Sequence, residues 1–230
     1  MSLEGIRKTP PAATLLVGPT GAGKTPLAEI LSARGLSGAR LHHFDFGEEL
    51  RQVGAGSVVP YSDWERTFVR RVLHEGALLE DGHFGLAAKI FASFLIRTAY
   101  RYPDEVILNG LPRHMGQAHD VASIASVTRM VVLDCRPSEV YERIRRNTGG
   151  DREGRLDDSL PLIEQKLLVY SQRTEPLVAH YEKKGVPVIR LEVDRSTTAL
   201  QVFEELCVRI QDGCSGVGVG VSETAQKSAM

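Results

Sequence analysis

Cysteine is scarce in this 230-residue chain: Cys135, Cys207 and Cys214 are odd in number and lack the close pairing of a zinc site. A disulfide framework and a zinc centre are therefore not expected, and the thiols should be reduced and mostly buried. Long apolar runs are missing too. None nears the roughly 20 residues that span a bilayer, and the start MSLEGIRKTPPAA lacks the apolar stretch of a secretory leader. A cytoplasmic protein with no membrane partner is the expectation. Neither sign of charge is in excess. The 28 Lys plus Arg and 29 Asp plus Glu leave a net charge of −1, so nothing draws the whole chain to nucleic acid, and any phosphate must be bound locally. What remains, 42% apolar and 25% charged residues, is the composition of a soluble globular chain with one sizeable core.

Short apolar runs alternate with helix-length amphipathic stretches, a pattern that predicts a parallel sheet with helices on both faces. The strand candidates are Ala13 to Val17, Leu41 to Asp45, Glu105 to Leu108, Arg129 to Cys135 and Val186 to Val193. Between them, Phe84, Ala87, Ala88, Phe91, Phe94, Leu95 and Thr98 recur at helical spacing. So do Leu160, Ile163, Leu167, Tyr170, Leu177 and Tyr181, and both sets read as core-facing stripes. The polar, glycine-rich stretch from Arg146 to Asp158 reads as a surface loop. Residues 1–10 and the tail from Gly213 are expected to be flexible.

Directly after the first apolar run stands Gly18-Pro19-Thr20-Gly21-Ala22-Gly23-Lys24-Thr25, the P-loop spacing of Gly, four residues, Gly-Lys-Thr. Its glycines let successive N–H groups turn inward around a polyphosphate, and a helix starting at Lys24 adds its positive dipole end. Lys24 would reach the β- and γ-phosphates, and the Thr25 hydroxyl would ligate Mg²⁺. Pro26 is compatible with a helix's first turn. The motif identifies a site for a nucleoside triphosphate, ATP being the expected donor, and leaves its use open.

Further along, Asn109-Gly110-Leu111-Pro112-Arg113 resembles the Asp-Gly-Phe-Pro-Arg of the adenylate kinase group of nucleoside monophosphate kinases. Phe46-Gly47-Glu48-Glu49-Leu50-Arg51 resembles the family's Thr-Gly-Asp-x-Leu-Arg. Arg155-Leu156-Asp157-Asp158, Ile163 to Tyr170 and Thr174-Glu175-Pro176-Leu177 with Tyr181 resemble its lid exit and long C-terminal helix. The resemblance covers roughly residues 13–193 and implies an α/β fold: a P-loop three-layer sandwich with a five-stranded parallel sheet, a helical monophosphate-binding insertion and a short lid. One kinase domain over residues 1–212 follows, with core segments 12–45, 105–145 and 159–212, the insertion at 46–104, the lid at 146–158 and a tail at 213–230. A monomer is expected.

The implied reaction brings two polyanions together, so fixed cations must offset their repulsion. By resemblance, Arg51 and Arg113 grip the acceptor phosphate, with Gly47 and Gly110 beside them. Arg143 lies against the ATP adenine, and Arg155 spans donor and acceptor phosphates. Lys166 stands where the family usually has another arginine, and Arg146 is one position short of a second lid arginine. Gln117, four residues beyond Arg113, holds the place of the glutamine that reads AMP, which makes AMP the expected acceptor. No general base is needed, since the acceptor phosphate is already ionised.

Three departures stand out. Asn109 replaces the aspartate that helps hold the Mg²⁺ hydration shell, Phe46 replaces a small Thr, and Val53 to Gly76, with Tyr61 and Trp64, has no counterpart in the family pattern. Asp45 and Glu48 are the nearest carboxylates able to take the missing role. Two other readings stay open: a P-loop kinase of another small acceptor, and a non-catalytic nucleotide-binding module.

Overall fold

The computed structural model describes residues 9–151 and 159–215. Five strands, β1 (Ala12–Val17), β2 (Leu41–Asp45), β3 (Glu105–Asn109), β4 (Ser126–Asp134) and β5 (Val188–Glu192), form one parallel sheet in the order β2-β3-β1-β4-β5. The strand of the P-loop is therefore central, paired with β3 on one side and β4 on the other.

Side chains alternate across the sheet, and the alternation creates the layers. Ala13, Leu15, Val17, Val106, Leu108, Met130 and Val132 face one core, while Leu16, Ile107, Val131 and Leu133 face the other. The second core is closed by α1 (Lys24–Arg34) and α9 (Ala199–Ser215), through Leu27, Leu31, Val202 and Leu206. The first takes α4 (Phe84–Arg97), α5 (Met115–Val121) and α8 (Pro176–Lys183), together with α2 (Phe46–Ala55) and α3 (Asp63–Glu75). Phe44 anchors it, with its ring 5.1 Å from those of both Phe91 and Phe94 at steep angles. Helices α6 (Pro137–Arg146) and α7 (Leu160–Val169) complete the description. The five-stranded α/β sandwich expected from the sequence is present.

Element boundaries differ in instructive ways. β4 begins at Ser126, three residues before the expected Arg129, because it pairs with β1 along a polar stretch that periodicity does not mark. The stripe from Leu160 to Tyr181 is split by a π-helical turn, Tyr170–Thr174, before α8. Ile163, Leu177 and Tyr181 are buried, whereas Leu160 is 65% exposed and does not face the core. Helix α9 runs to Ser215, past Gly213, where the tail was expected to begin. Cys135 and Cys207 are free and only half-buried, and the Cys214 side chain lies outside the described part of the chain. Among the described residues no helix is long and apolar enough to cross a membrane.

Helix α2 is tied to α4 by an ion pair in which Arg97 Nη2 donates to Glu49 Oε1. Glu49 is 6% exposed, and its burial raises its pKa although Arg97 pulls it down. A carboxyl raised on folding favours its neutral form: the contribution is full below the unfolded value and fades as pH climbs through the folded one. Arg97→Leu leaves the buried carboxylate without its cation. It should destabilise the protein by about 2 kcal/mol at pH 8 and by clearly less at pH 5, where Glu49 can protonate. Urea unfolding at both pH values measures this, and an equal loss at both refutes it.

Candidate active site

The C-terminal ends of β1, β2 and β3 open into a cleft walled by α2, the end of α3 and α7, the place where open parallel sheets bind ligands. β1 feeds the loop at Gly18, where an added Cβ would lie 2.9 Å from the Leu133 carbonyl oxygen, so only glycine lets the loop press against β4. Gly23, at φ 97°, is the left-handed residue that opens α1. The first turn of α1 carries no acidic residue, leaving its N–H groups to an anion. Lys24 Nζ donates to Gly18 O and Pro19 O, each at 2.7 Å, so the ammonium sits inside its own loop. Gly18, Thr20, Gly21, Gly23, Lys24 and Thr25 line the cleft, while Ala22 is buried behind it.

At the foot of the P-loop, Thr25 Oγ1 donates to Asp45 Oδ2 at 2.9 Å. The Asn109 amide contacts both, with Nδ2 3.1 Å from Asp45 Oδ2 and 3.0 Å from Thr25 Oγ1. Its third neighbour is His43 Nε2 at 3.3 Å, where the ring nitrogen accepts. Burial lowers the His43 pKa against the pull of Asp45, consistent with that neutral ring. The other oxygen of Asp45 caps α2 by accepting from Glu48 N at 3.0 Å.

On the acceptor side stand Arg51 and Arg113. Arg51 Nε donates to Glu48 Oε2 at 2.8 Å in a half-exposed pair above Gly47, an interaction weak enough to exchange. The Arg113 side chain lines the cleft and is solvent-exposed, and no carboxylate among the described residues forms an ion pair with it. Desolvation lowers its pKa, opposed by the charge of Asp45. Its backbone is held at both ends: Arg113 N donates to Gln117 Oε1, and Thr174 Oγ1 donates to Arg113 O, both at 2.8 Å. Gly110, at φ 86°, turns the chain between strand and arginine.

Gln117 is not the open base reader that its spacing suggested. It is 1% exposed, with Oε1 on Arg113 N and Nε2 donating to Leu79 O at 2.8 Å. His114 caps α5, accepting from Gln117 N on Nδ1 and donating from Nε2 to the same Leu79 carbonyl at 3.0 Å. The sequence signal was a shifted capping box, a polar cap followed three residues later by Gln. For Thr174, 61 residues away from Arg113, there was no signal.

Arg143 also departs from expectation. It is 4% exposed, and its guanidinium donates to Gly21 O at 2.9 Å, Asp194 O at 2.5 Å and Thr197 O at 2.8 Å, which leaves no open face for a base. It ties the P-loop to a turn in which Asp194 Oδ1 accepts from the hydroxyls and N–H groups of Ser196 and Thr197, bonds that hold the Asp194 carboxyl far below its usual range. Arg146 lies outside the cleft, paired with Glu142 at 3.1 Å. Lys166 lines the cleft from α7. Arg155 falls outside the described residues. Burial pushes the Cys135 thiol up to about 11, which makes it a poor nucleophile.

Arg143→Lys loses most of these carbonyl contacts and leaves buried acceptors unpaired. Stability should fall by about 2–3 kcal/mol in urea unfolding, and ATP affinity should fall with it because Gly21 is one of the tethered groups. Unchanged stability would remove the tie from Arg143.

Comparison with known proteins agrees with this geometry. A family profile described as an AAA domain matches residues 15–166, more than half of the chain. Adenylate kinase of Thermus thermophilus is 32% identical over 184 residues, covering 76% of this chain and 85% of that one. UMP-CMP kinase 1 of Oryza sativa subsp. japonica is 26% identical over 195 residues, covering 83% and 70%. Among solved structures, a gluconokinase from Sinorhizobium meliloti 1021 is 17% identical with a TM-score of 0.48, covering 92% of this chain and all of that one. With the P-loop and the Asn-Gly-Leu-Pro-Arg turn facing one cleft, and with such identity across most of an adenylate kinase, the chain belongs to the adenylate kinase group of P-loop phosphotransferases.

Proposed function

We propose that the protein transfers the γ-phosphoryl group of ATP to a nucleoside monophosphate, with AMP as the acceptor. The observation that carries this reading is Arg113: a solvent-accessible guanidinium lining the same cleft as the P-loop, with no described carboxylate partner. An unpaired guanidinium fork binds phosphate oxygens bidentately, and a kinase of a non-phosphorylated acceptor has no need of a second cationic group there.

Each step then falls to a residue of this chain. The P-loop N–H groups and the start of α1 receive the triphosphate, and Lys24 exchanges Gly18 O and Pro19 O for phosphate oxygens. Arg51 releases Glu48 and, with Arg113, clamps the acceptor phosphate. Lys166 lines the cleft and adds charge there; by the family resemblance Arg155 joins it, and the 146–158 segment takes the part of the lid that keeps water out. The acceptor phosphate is already ionised, so no base is required. Thr25 Oγ1 and the adjacent Asp45 Oδ2 are hard oxygens that suit Mg²⁺, which when bound would neutralise the triphosphate charge.

The base reading is supported by the position of Gln117 in the cleft wall and by the adenylate kinases among the relatives. Gln117 can reach a base only by giving up Leu79 O. Screening ATP with AMP, UMP, CMP and GMP for diphosphate tests the proposal. The highest kcat/KM is expected with AMP, preference for another monophosphate corrects the base, and no diphosphate from any of them ends the reading.

Two substitutions test the roles. Lys24→Ala should lower kcat by about 10³-fold or more with the thermal midpoint nearly unchanged, because the side chain serves the phosphates rather than the core. Arg113→Lys keeps the charge but loses the fork, and should cost about 2–4 kcal/mol in transition-state binding with the monophosphate while ATP binding stays near normal. Equal weakening toward both nucleotides would take Arg113 out of the acceptor site.

A further inference from the structure

We infer that Asp45, at the end of β2, supplies the carboxylate of the Mg²⁺ hydration shell that the family pattern places at position 109. The inference rests on the P-loop being an ATP site, and it is independent of the acceptor.

Thr25 carries the hydroxyl that a P-loop offers to the metal, and that hydroxyl donates directly to Asp45 Oδ2 at 2.9 Å. A carboxylate therefore stands at the metal's position although residue 109 is an amide. Glu48, the other nearby acid, is engaged elsewhere, with Oε2 on Arg51 Nε and Oε1 on Gln52 Nε2. Both acids were open candidates in the sequence, and the geometry selects Asp45.

The same contacts explain Asn109. Its Nδ2 lies 3.1 Å from Asp45 Oδ2, so an aspartate there would set two carboxylates against each other at hydrogen-bond distance. Such a pair strongly disfavours double ionisation. Asn109 instead donates to Asp45, and His43 Nε2, 3.3 Å from the same Nδ2, keeps the NH₂ end of the amide in that corner. Positions 45 and 109 thus share one negative charge, carried here by residue 45. Capping of α2 through Oδ1 fixes the carboxylate orientation, and the pair of hard oxygens suits a cation that keeps several of its waters.

An exchange of charge tests the assignment without turnover. Mn²⁺ is titrated by electron paramagnetic resonance into the full chain loaded with a non-hydrolysable ATP analogue and no acceptor. Asp45→Asn should weaken Mn²⁺ binding about tenfold or more. It should keep the fold, because Asn caps a helix as well as Asp, and the thermal midpoint checks this. Asp45→Asn combined with Asn109→Asp should recover affinity to within about threefold of wild type, while Glu48→Gln should leave it unchanged. The proposal is overturned if Asp45→Asn leaves Mn²⁺ affinity within twofold, if the double exchange is no tighter than the single variant, or if Glu48→Gln is the weakening one. Failure of the analogue to bind the wild type overturns the P-loop reading and this proposal together. A negative monophosphate screen alongside the expected Mn²⁺ results overturns only the acceptor reading.

Discussion

Holding Arg113 at the cleft with no carboxylate ion-paired to it among the described residues is the constraint around which this site is arranged. A guanidinium locked in a buried pair with an acid would be lost to a phosphate. Arg113 is held instead through its backbone, by Gln117 on the N–H and Thr174 on the carbonyl, so the side chain reaches the cavity while its head stays available. Lys24 satisfies its ammonium with two carbonyls of its own loop, contacts that phosphate oxygens can replace. Two acids at the cleft are hydrogen-bonded elsewhere: Glu48 holds Arg51, and Asp45 takes the Thr25 hydroxyl and the Asn109 amide.

Burial decides which arginines can serve and which cannot. Arg143, expected against a base, is enclosed and bonded to three backbone carbonyls, where it fastens the P-loop to the 194–197 turn. The turn can offer those carbonyls because four donors from Ser196 and Thr197 converge on Asp194. The P-loop is thus braced by a buried cation bonded to backbone carbonyls. Farther out, Arg173 grips Glu80 with two bonds, of 2.6 and 2.9 Å, and joins the π-helical turn to the segment beside the cleft.

The fold was legible because its signals are local and repetitive. Strand residues alternate, the apolar stripe of α4 recurs at helical spacing, and the glycines of the P-loop answer to a backbone geometry that few residues can adopt. Where the reading slipped, a partner distant in sequence had the deciding influence. The polar start of β4 is a strand because β1 lies beside it, and Leu160 is left exposed because nothing among the described residues covers it. The π-helical turn breaks a stripe that looked continuous.

By itself the sequence determined the α/β class, the phosphate loop, the order of the motifs and the set of cations able to meet two polyanions, because these depend on residue type and short spacing. Tertiary structure alone decided what each polar group is doing. An amide at position 117 reads as a base selector until Leu79 O and Arg113 N are seen to occupy both of its ends. An asparagine at 109 reads as a lost charge until Asp45 is found 3.1 Å away. A hydrogen bond has a range of about 3 Å and a preferred direction, and that proximity arises only when strands 64 residues apart in the chain end side by side in one sheet.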